Sequence, residues 1–384
     1  MKILHVVCAL SAGGVADAIR CIVSEESALG HDVTLAFVGQ FNSEVSKQVK
    51  TIGYKKSCFQ FCYFSWEMLT CLHRIMRGMD VVHVHSNWTF PVWWSAGLAI
   101  LQKKQLVMSS HGCFDPVKLR HSAWKKKMAG WIDRWMLRRA NVIHSASHVE
   151  ETWVKTFIGE SGKRKKQRWV IIPLGINMPR LDGLRIQKTS RTGKCVLYLG
   201  RLHPLKGLDL LLEAWAKLNE SRNFAHWKLI IAGPDEQNTK QRLQTMIEKS
   251  GIEGVELNDG VFDDAKWQLI CDSDLFVLPS RTENFGIVVG EALVCSVPVV
   301  MTDVGPWKTE MATYFGAETS NVPIQFIETS VSGIVEGLSK MMALEDETRT
   351  AMGRNGQAWI HKEFQWERVV ERMIEAYVAE SVCV

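Results

Sequence analysis

The sequence predicts an α/β protein with two domains, each built on a parallel β-sheet that carries helices on both faces. Short apolar runs alternate with segments of helical periodicity along the whole chain, which is the pattern of βαβ units. The 384 residues exceed what one hydrophobic core usually organises, and the 46% of hydrophobic residues allows a core in each half. A charged, turn-rich stretch at residues 181–194 interrupts the pattern and predicts a linker.

The first domain is expected to cover residues 1–180. Its opening apolar run is too short for a signal peptide and is interpreted as a strand, with a helix beginning after Gly14. One long helix is predicted from about Pro116 to Arg139. The strands predicted for this domain are Ile3–Ala9, Val33–Val38, Val81–His85, Leu106–Ser109, Val142–Ser145 and Val170–Pro173.

The second domain is expected to cover residues 195–362, again with apolar runs separated by helical segments. Residues 363–384 carry apolar side chains at helical spacing and predict a final helix. The strands predicted for the second domain are Val196–Gly200, Lys228–Ala232, Val255–Leu257, Leu275–Leu278 and Val297–Met301.

Cysteine usage and hydropathy indicate the cellular compartment in which the chain is expected to fold. The ten cysteines contain no C-x-x-C pair and mostly lie in apolar runs, so we expect reduced thiols in a cytosol. No run approaches the 18 or more apolar residues that a membrane span needs. We therefore expect a cytoplasmic protein that does not cross a bilayer.

The most informative motif is PSRTENFGIVVGEAL, which follows an apolar run interpreted as a buried strand. It places Glu283 and Glu291 around a strand-to-helix transition. The backbone N–H groups that could meet an anion or a sugar hydroxyl there belong to Phe285, Gly286 and Ile287. Two glutamates at this spacing also occur on solvent-facing helices, and a helix cap alone would explain the loop.

A second motif, VLYLGRLHPLKG, lies about 80 residues upstream. It places Arg201 and Lys206 in another strand-to-helix turn, where two cations could bind a polyphosphate. Such a pair is also common on a solvated surface. Both motifs, however, stand at the C-terminal ends of apolar strands, where open α/β sheets bind their ligands. Together they predict a nucleotide-sugar site.

These motifs resemble those of the retaining glycosyltransferases with the GT-B fold, family four, whose mark is E-x7-E followed by an EAL helix and a PVV strand. Here that passage reads EALVCSVPVVMTDVG. Further matching strings are GG at Gly13 and Gly14, SSHG at Ser109–Gly112, IIPLGIN at Ile171–Asn177 and DLFVLPS at Asp274–Ser280. The resemblance implies two Rossmann-like domains facing across a deep cleft, with the last helix crossing back to the first domain.

The resemblance assigns catalytic roles to Glu283, His111, Arg201 and Lys206. The two cations would bind the diphosphate, and Glu283 would bond sugar hydroxyls or favour positive charge developing at the sugar ring. His111 would contact the donor sugar, and Glu291 would hold the ribose hydroxyls. The other expected donor-site residues are Gly13, Gly14, Asn284, Phe285, Gly286, Ile287, Val261 and Phe262.

No metal or other cofactor is expected. Arg201, Lys206 and the helix that opens after them can offset the charge that develops on the leaving diphosphate. The string Asp272-Ser273-Asp274 precedes its strand and is interpreted as structural. His83 and His85 share a strand face and could ligate a metal, but we recognise no third ligand, so His85 is assigned to the acceptor pocket.

The resemblance also implies the stereochemical course of the reaction, with retention of the anomeric configuration. The acceptor hydroxyl would attack from the face that the phosphate leaves, and the departing phosphate would take its proton. Two departures from the family pattern concern the donor side. Ser296 stands where the family has Gly, and Pro306-Trp307 replaces a commoner small pair, which leaves the donor's identity open.

Residues 101–168 hold 16 basic and 5 acidic residues, in a chain whose net charge is +5. Within them, Trp124, Trp131 and Trp135 share one helix face that lysines and arginines flank. This segment, residues 117–139, suits an anionic membrane surface, although a helix with its tryptophans packed in the core and its cations solvated would show the same pattern.

A membrane surface would fit a lipid-linked acceptor. The string HGCFDP resembles that of bacterial envelope-polysaccharide transferases, so we expect a role in lipopolysaccharide, O-antigen or exopolysaccharide assembly. The alternatives are a nucleotide-sugar epimerase or phosphorylase on the same scaffold, or a non-enzymatic protein that binds an anionic membrane or nucleic acid. We recognise no nucleic-acid-binding module, so a nucleic-acid partner is not expected.

Overall fold

The structure is a computed structural model, and it describes residues 1–9, 14–39, 45–57, 61–120, 123–159, 167–178, 193–221, 223–316 and 321–378. The chain divides into two compact units. The first is formed by Met1–Gly175 together with Trp366–Val384, and the second by Ile176–Gln365. Most of the linker predicted for residues 181–194 lies outside the described residues.

The first unit contains a seven-stranded parallel sheet with the strand order β3-β2-β1-β4-β5-β6-β7. Its strands are β1 (Lys2–Val7), β2 (Asp32–Val38), β3 (Lys50–Tyr54), β4 (Val81–His85), β5 (Gln105–Ser109), β6 (Val142–Ser145) and β7 (Arg168–Ile171). Its helices are α1 (Gly14–Ala28), α2 (Trp66–Arg77), α3 (Phe90–Leu101), α4 (Pro116–Arg120), α5 (Ala123–Leu137), α6 (His148–Ile158) and the C-terminal α14 (Trp366–Val378).

The second unit contains a six-stranded parallel sheet with the strand order β10-β9-β8-β11-β12-β13. Its strands are β8 (Lys194–Leu199), β9 (Trp227–Ala232), β10 (Val255–Asn258), β11 (Leu275–Leu278), β12 (Val299–Thr302) and β13 (Ile324–Ile327). Its helices are α7 (Leu208–Glu220), α8 (Thr239–Ser250), α9 (Asp263–Cys271), α10 (Ile287–Val294), α11 (Trp307–Phe315), α12 (Val331–Met342) and α13 (Asp346–Glu363).

The α/β class and the two parallel sheets are therefore confirmed. The sequence analysis missed β3 and β13, each of which forms one edge of its sheet. An edge strand buries less of its surface, and in β3, with the sequence KTIGY, only Tyr54 is fully buried, so the strand lacks an apolar run. The helix predicted from Pro116 to Arg139 is described as two helices, α4 and α5, and residues 121–122 between them lie outside the description.

Strand order places the ligand-binding edge of each sheet. In the first unit the order reverses between β1 and β4, and in the second between β8 and β11. Loops that leave neighbouring strands at such a reversal diverge to opposite faces and leave a crevice at their C-terminal ends. The loops after β1, β4, β8 and β11 are therefore the places where functional side chains are expected.

The chain passes from the first unit to the second at Gly175 and returns at Trp366. A Cβ atom on Gly175 would lie 2.3 Å from the Trp366 ring, so the two crossing segments pack directly on each other. After the return, α14 packs against α1 in the first unit. None of the helices that the structure describes has the length and apolar character needed to cross a membrane.

Close backbone packing surrounds Ser296, one of the two departures from the family pattern. Ser296 adopts a left-handed backbone with φ of 59°, the conformation for which glycine is favoured. A Cβ on Gly353 in α13 would lie 1.8 Å from the Ser296 carbonyl oxygen. The helix α13 can approach this turn only because position 353 has no side chain.

We expect Gly353→Ala to destabilise the second unit by roughly 1–3 kcal/mol, because the added methyl overlaps backbone atoms that cannot move aside cheaply. The matched control is Gly97→Ala in α3, where the new Cβ meets nothing within 4 Å. Helix propensity alone favours alanine by about 1 kcal/mol at either position. Urea unfolding of both variants tests this, and equal stabilisation of both would contradict the packing described.

Candidate active site

Glycine geometry positions Lys206 in the second unit. Beyond β8 the chain makes a short 3-10 turn at Pro204–Lys206, which the His203 side chain caps by accepting the Leu205 N–H at 3.1 Å. Gly207 follows with φ of 67° and is the N-cap of α7, which begins at Leu208. A Cβ at Gly207 would lie 2.1 Å from the Pro279 carbonyl oxygen. The turn that carries Lys206 can therefore approach the loop after β11 only if position 207 is glycine.

That approach joins the two sequence motifs. The Lys206 Nζ donates to Glu283 Oε2 at 2.5 Å, and the Ser280 hydroxyl donates to the same oxygen at 3.2 Å. The two charged side chains are only 16% and 13% exposed. The structure thus places a shielded but reachable cation and carboxylate together at the C-terminal edge of the sheet.

Arg201 contacts a residue that the sequence analysis did not identify. Its guanidinium donates to both oxygens of Glu236, at 2.8 and 3.1 Å, and its side chain is 59% exposed. The backbone at this position is held by the Tyr198 hydroxyl, which donates to the Arg201 carbonyl at 2.9 Å. Arg201 is therefore an accessible cation, but its ion pair is separate from that of Lys206 and Glu283.

Glu291 lies in the second turn of α10 and is buried. Its carboxylate accepts a hydrogen bond from Lys266 Nζ in α9 at 2.7 Å, a partner that the sequence analysis missed. Two further residues expected at the donor site lie just before α9: Val261 is half-buried, and Phe262 is 62% exposed.

The loop from Asn284 to Ile287 is held in shape by Trp307, the second departure from the family pattern. The buried indole donates its Nε1–H to the Phe285 carbonyl at 2.6 Å. Gly286 then takes a left-handed backbone, φ of 74°, and α10 begins at Ile287. The buried Oδ1 of Asn284 has no hydrogen-bond partner among the residues the structure describes, so this loop retains an unused polar atom beside the glutamate motif.

A further ion pair in this region escaped the sequence analysis. Arg281 donates to both oxygens of Asp209 at 2.7 and 2.6 Å and to the Pro204 carbonyl at 2.7 Å. Hydrogen bonding to Arg281 lowers the pKa of Asp209. The pair ties the loop after β11 to the start of α7 and so supports the contact between Lys206 and Glu283. The local sequence signal for this ion pair was the acidic residue Asp209 in the first turn of α7.

The string Asp272-Ser273-Asp274 has structural contacts. Asp272 accepts a hydrogen bond from the Gln268 side chain at 3.0 Å, and Asp274 accepts the Cys195 N–H at 2.8 Å. The carboxylates therefore fasten the end of α9 and the start of β8.

In the first unit, His111 is buried after β5 and has a left-handed backbone with φ of 49°. Glu150 holds this turn by accepting the Ser110 hydroxyl at 2.7 Å, the Gly112 N–H at 2.5 Å and the Ala146 N–H at 2.8 Å. The sequence analysis missed Glu150. Its signal was present, because Ser147 caps α6 and stands three residues before a glutamate, the spacing of a capping box.

A chain of eight hydrogen bonds leads from His111 into the interior of the first unit. From His111 Nε2 it passes to His85 (2.9 Å), His5 (2.9 Å), Glu26 (2.6 Å), Tyr377 (2.9 Å), His83 (2.6 Å), Ser109 (2.6 Å), His144 (2.7 Å) and the Ile172 carbonyl (2.8 Å). Tyr377 lies in α14, so the C-terminal helix supplies one link. We refer to these groups as the histidine chain.

The structure corrects the argument by which His83 and His85 were set aside as metal ligands. A third imidazole is present, because nitrogen atoms of His5, His83 and His85 all lie within 4.8 Å of one another. All six ring nitrogens of these residues nevertheless have hydrogen-bond partners within the histidine chain. His85 lies fully buried between His5 and His111, so its assignment to the wall of an acceptor pocket was wrong.

The remaining predicted residues lie outside these clusters. Gly13 is outside the described residues, and Gly14 is exposed at the start of α1. In α5, Trp131 is 66% exposed and Trp135 is 38% exposed, whereas Met136 and Leu137 are buried. The interpretation of α5 as a helix with its tryptophans packed in the core is therefore wrong for these two rings. The side chains of Trp124 and residues 125–127 lie outside the description.

Burial lowers the pKa values of four histidines in the histidine chain. Desolvation lowers the pKa of His111 to about 4, lowers the pKa values of His83 and His85 well below their usual range, and lowers the pKa of His144. The Glu150 carboxylate partly opposes this shift at His111, while Lys118 adds to it. These imidazoles are therefore uncharged at neutral pH.

We predict that the first unit loses stability on acidification. A neutral buried histidine contributes fully above the unfolded-state pKa near 6.5, and its contribution is lost as the pH falls from there towards 4. His111 alone should account for a loss on the order of 2 kcal/mol between pH 7 and 5. Urea unfolding over this range provides the measurement, and a first unit equally stable at both values would contradict the assigned neutrality.

Comparison with known proteins gives the family. The profile described as "Glycosyltransferase Family 4" matches residues 12–180, and the profile described as "Glycosyl transferases group 1" matches residues 184–359. A relative of similar length is the GDP-mannose:cellobiosyl-diphosphopolyprenol alpha-mannosyltransferase of Xanthomonas campestris. It is 26% identical over 99% of this chain and 97% of its own.

Solved structures share the fold across the same span. A glycosyltransferase from Rickettsia africae superposes with a TM-score of 0.76 and 19% identity, covering 98% of this chain and 97% of its own. Anabaena Alr3699/HepE, solved with UDP and glucose, gives a TM-score of 0.74 and 18% identity, covering 98% of this chain and 99% of its own. The chain therefore belongs to glycosyltransferase family four and is a hexosyltransferase with the two parallel α/β halves of the GT-B fold.

Proposed function

We propose that this glycosyltransferase moves a hexose from a nucleoside diphosphate sugar to a hydroxyl of a growing, lipid-linked envelope glycan, with retention of the anomeric configuration. The observation that carries the proposal is the contact between Lys206 and Glu283 at the C-terminal edge of the second sheet. The Xanthomonas relative, by its name, uses GDP-mannose and a diphosphopolyprenol-linked acceptor, and the Anabaena protein was solved with UDP and glucose. These names support a nucleotide-sugar donor and a lipid-linked acceptor.

Lys206 is suited to bind the leaving diphosphate. As the bond between the anomeric carbon and the phosphate oxygen breaks, negative charge accumulates on the phosphate and requires stabilisation. An ammonium has three N–H donors, and Glu283 occupies one in the structure. The other two can meet phosphate oxygens without loss of the ion pair. Arg201, which is exposed, supplies a second cation, so the proposed reaction needs no metal ion.

Glu283 and Glu291 have separate tasks in this proposal. Glu283 accepts hydrogen bonds from the donor sugar and favours the positive charge that develops at its ring. Glu291, held by Lys266, accepts the ribose hydroxyls of the nucleotide. The acceptor oxygen bonds to the anomeric carbon, the bond from that carbon to the phosphate oxygen breaks, and the acceptor proton passes to the departing phosphate. Atoms and charge are then balanced without a separate base.

Helix α5 supports a further part of the proposal, association with an anionic membrane surface through residues 117–139. The exposed rings of Trp131 and Trp135 are amphipathic groups of the kind that insert at a bilayer interface. Arg139 lies over the Trp135 ring at 4.6 Å and places a cation beside it. Such contacts would bring the enzyme to an acceptor hydroxyl at the bilayer surface.

Release of nucleotide from donor sugars tests the site. We expect slow hydrolysis of one member of a panel of UDP-, GDP-, ADP- and dTDP-hexoses, unchanged by EDTA. Lys206→Ala should reduce it about 100-fold or more, because the cation acts on charge that develops in the transition state. Glu283→Ala should also reduce it. Lys228→Ala is the matched control, since Lys228 in β9 pairs with Glu256 in β10, outside the clusters described for the site. If the donor site lay elsewhere in the protein, the rate of nucleotide release would be equal in all three variants.

Vesicle binding tests the surface of α5 separately. We expect the protein to sediment with vesicles that contain phosphatidylglycerol and not with phosphatidylcholine alone, and to lose binding severalfold in a Trp131→Ala, Trp135→Ala double variant. Trp66→Ala controls for a general effect of an exposed ring, because Trp66 is 61% exposed on α2. Unaltered sedimentation of the double variant would show that α5 is not the membrane contact.

A further inference from the structure

Trp307 lies in the interior of the second unit, where other aromatic side chains fix its position. It is the first residue of α11 and has no exposed surface. Its ring packs near those of Trp359 and Phe364, with centroids 5.7 and 5.4 Å away. Both of these rings are themselves buried. Packing therefore sets the place of the indole nitrogen, and water does not reach it.

The indole N–H of Trp307 binds the backbone of the loop from Asn284 to Ile287. Nε1–H donates to the Phe285 carbonyl oxygen at 2.6 Å. Phe285 is 2% exposed, so water is not available as an alternative donor. A buried carbonyl that loses its hydrogen-bond partner is strongly unfavourable. The hydrogen bond therefore holds the peptide unit between Phe285 and Gly286 in one orientation.

The orientation of that peptide unit sets the direction of the Gly286 N–H. In a trans peptide unit the C=O and N–H groups point in opposite directions, and no cis peptide bond occurs in the described part of the chain. With the Phe285 carbonyl on the indole, the Gly286 N–H points away from Trp307. This N–H makes no hydrogen bond with any residue that the structure describes. A ligand oxygen on that side would find a free donor.

Gly286 lies against the charged pair of the candidate site. A Cβ atom added to it would lie 3.1 Å from Glu283 Cγ, and the Glu283 carboxylate is the group that binds Lys206 Nζ. Gly286 is also the N-cap of α10, so the positive end of that helix adds to the field at this N–H. Lys206 and the Gly286 backbone therefore both present N–H donors beside Glu283.

We propose that Trp307 is a positioning residue that directs the Gly286 N–H at the phosphate group nearest the transferred sugar. This inference rests on the proposed function, because it needs a nucleoside diphosphate sugar in the site. Negative charge grows on that phosphate as its bond to the sugar breaks, and an N–H fixed in advance stabilises the charge without reorganisation. Trp307 itself touches neither the sugar nor the phosphate, because its nitrogen is bonded to Phe285 and its ring is enclosed by aromatic side chains.

Glycine at position 286 makes the loop dependent on this hydrogen bond. A peptide unit can reverse by opposite rotations about the two bonds that flank it, and a glycine that follows accepts the new φ without steric penalty. Without the indole N–H, the Phe285 carbonyl would be free to turn, and the Gly286 N–H would turn with it. Trp307 thus selects one of two orientations that the local sequence alone permits.

Nucleotide titration of the full chain tests the inference. UDP, GDP, ADP and dTDP and the four corresponding monophosphates are titrated by calorimetry into the wild type and Trp307→Phe. We expect the variant to bind the preferred diphosphate about tenfold more weakly, the effect of one hydrogen bond to a charged group, and to bind the monophosphate as the wild type does. The monophosphate lacks the phosphate that the Gly286 N–H meets. Equal weakening of both nucleotides would indicate a general disturbance of the second unit and would overturn the inference.

Trp215→Phe is the matched control for this titration. Trp215 is 1% exposed in α7 of the same unit, and its Nε1–H donates to the Glu253 carbonyl oxygen at 3.2 Å. The control therefore loses the same kind of hydrogen bond and the same ring volume away from the candidate site. We expect it to bind both nucleotides as the wild type does. A loss of diphosphate affinity equal to that of Trp307→Phe would contradict a specific role for Trp307.

A benzothiophene side chain at position 307 separates the N–H group from the shape of the ring. Benzothienylalanine, introduced by suppression of a stop codon, replaces the indole N–H by sulfur and keeps the packing against Trp359 and Phe364. We expect it to bind the diphosphate about tenfold more weakly and the monophosphate normally. Wild-type affinity for the diphosphate in this protein would show that the N–H does not position the loop, even if Trp307→Phe failed to fold.

The inference and the proposed function fail in distinguishable ways. If the wild type binds none of the four diphosphates and hydrolyses no donor sugar, both are overturned. If the wild type binds a diphosphate and the changes at position 307 leave that affinity unaltered, the proposed function stands and the role assigned to Trp307 is wrong.

Discussion

The candidate site in the second unit depends on the ion pair between Lys206 and Glu283. It exists because β8 and β11 are neighbours in a parallel sheet, so that the loops beyond them leave the same edge. It also needs Gly207, since any side chain there would overlap the Pro279 carbonyl. Arg281 and Asp209 then fasten the same two loops together. A cation and a carboxylate distant in sequence are thereby held at hydrogen-bond distance.

In the first unit, strand register brings together polar side chains that are distant in sequence. His5 pairs in register with His83, His85 pairs with Ser109, and Ser109 pairs with His144. Neighbouring parallel strands in register present such residues side by side on one face of the sheet. Helices α1 and α14 add Glu26 and Tyr377, which close the gaps between the imidazoles. A buried polar chain of this kind is favourable only because nearly every atom in it has a partner.

The elements that the sequence predicted well are those in which one local signal is sufficient. Central strands are mostly apolar, and Lys206, Glu283 and Glu291 belong to contiguous motifs that also carry a family resemblance. The edge strand β3 could not be predicted, because its half-exposed surface leaves no apolar run. Contacts such as Lys266 with Glu291 and the histidine chain depend on register between distant segments, and nothing local distinguishes those residues from ordinary surface or core positions.

The decisive experiment is a structure of the full chain crystallised with a nucleoside diphosphate. We expect diphosphate oxygens within hydrogen-bond distance of Lys206 Nζ, with the ribose hydroxyls on Glu291 and the contact between Lys206 and Glu283 preserved. A nucleotide bound elsewhere, with Lys206 bonded to Glu283 alone, would contradict it.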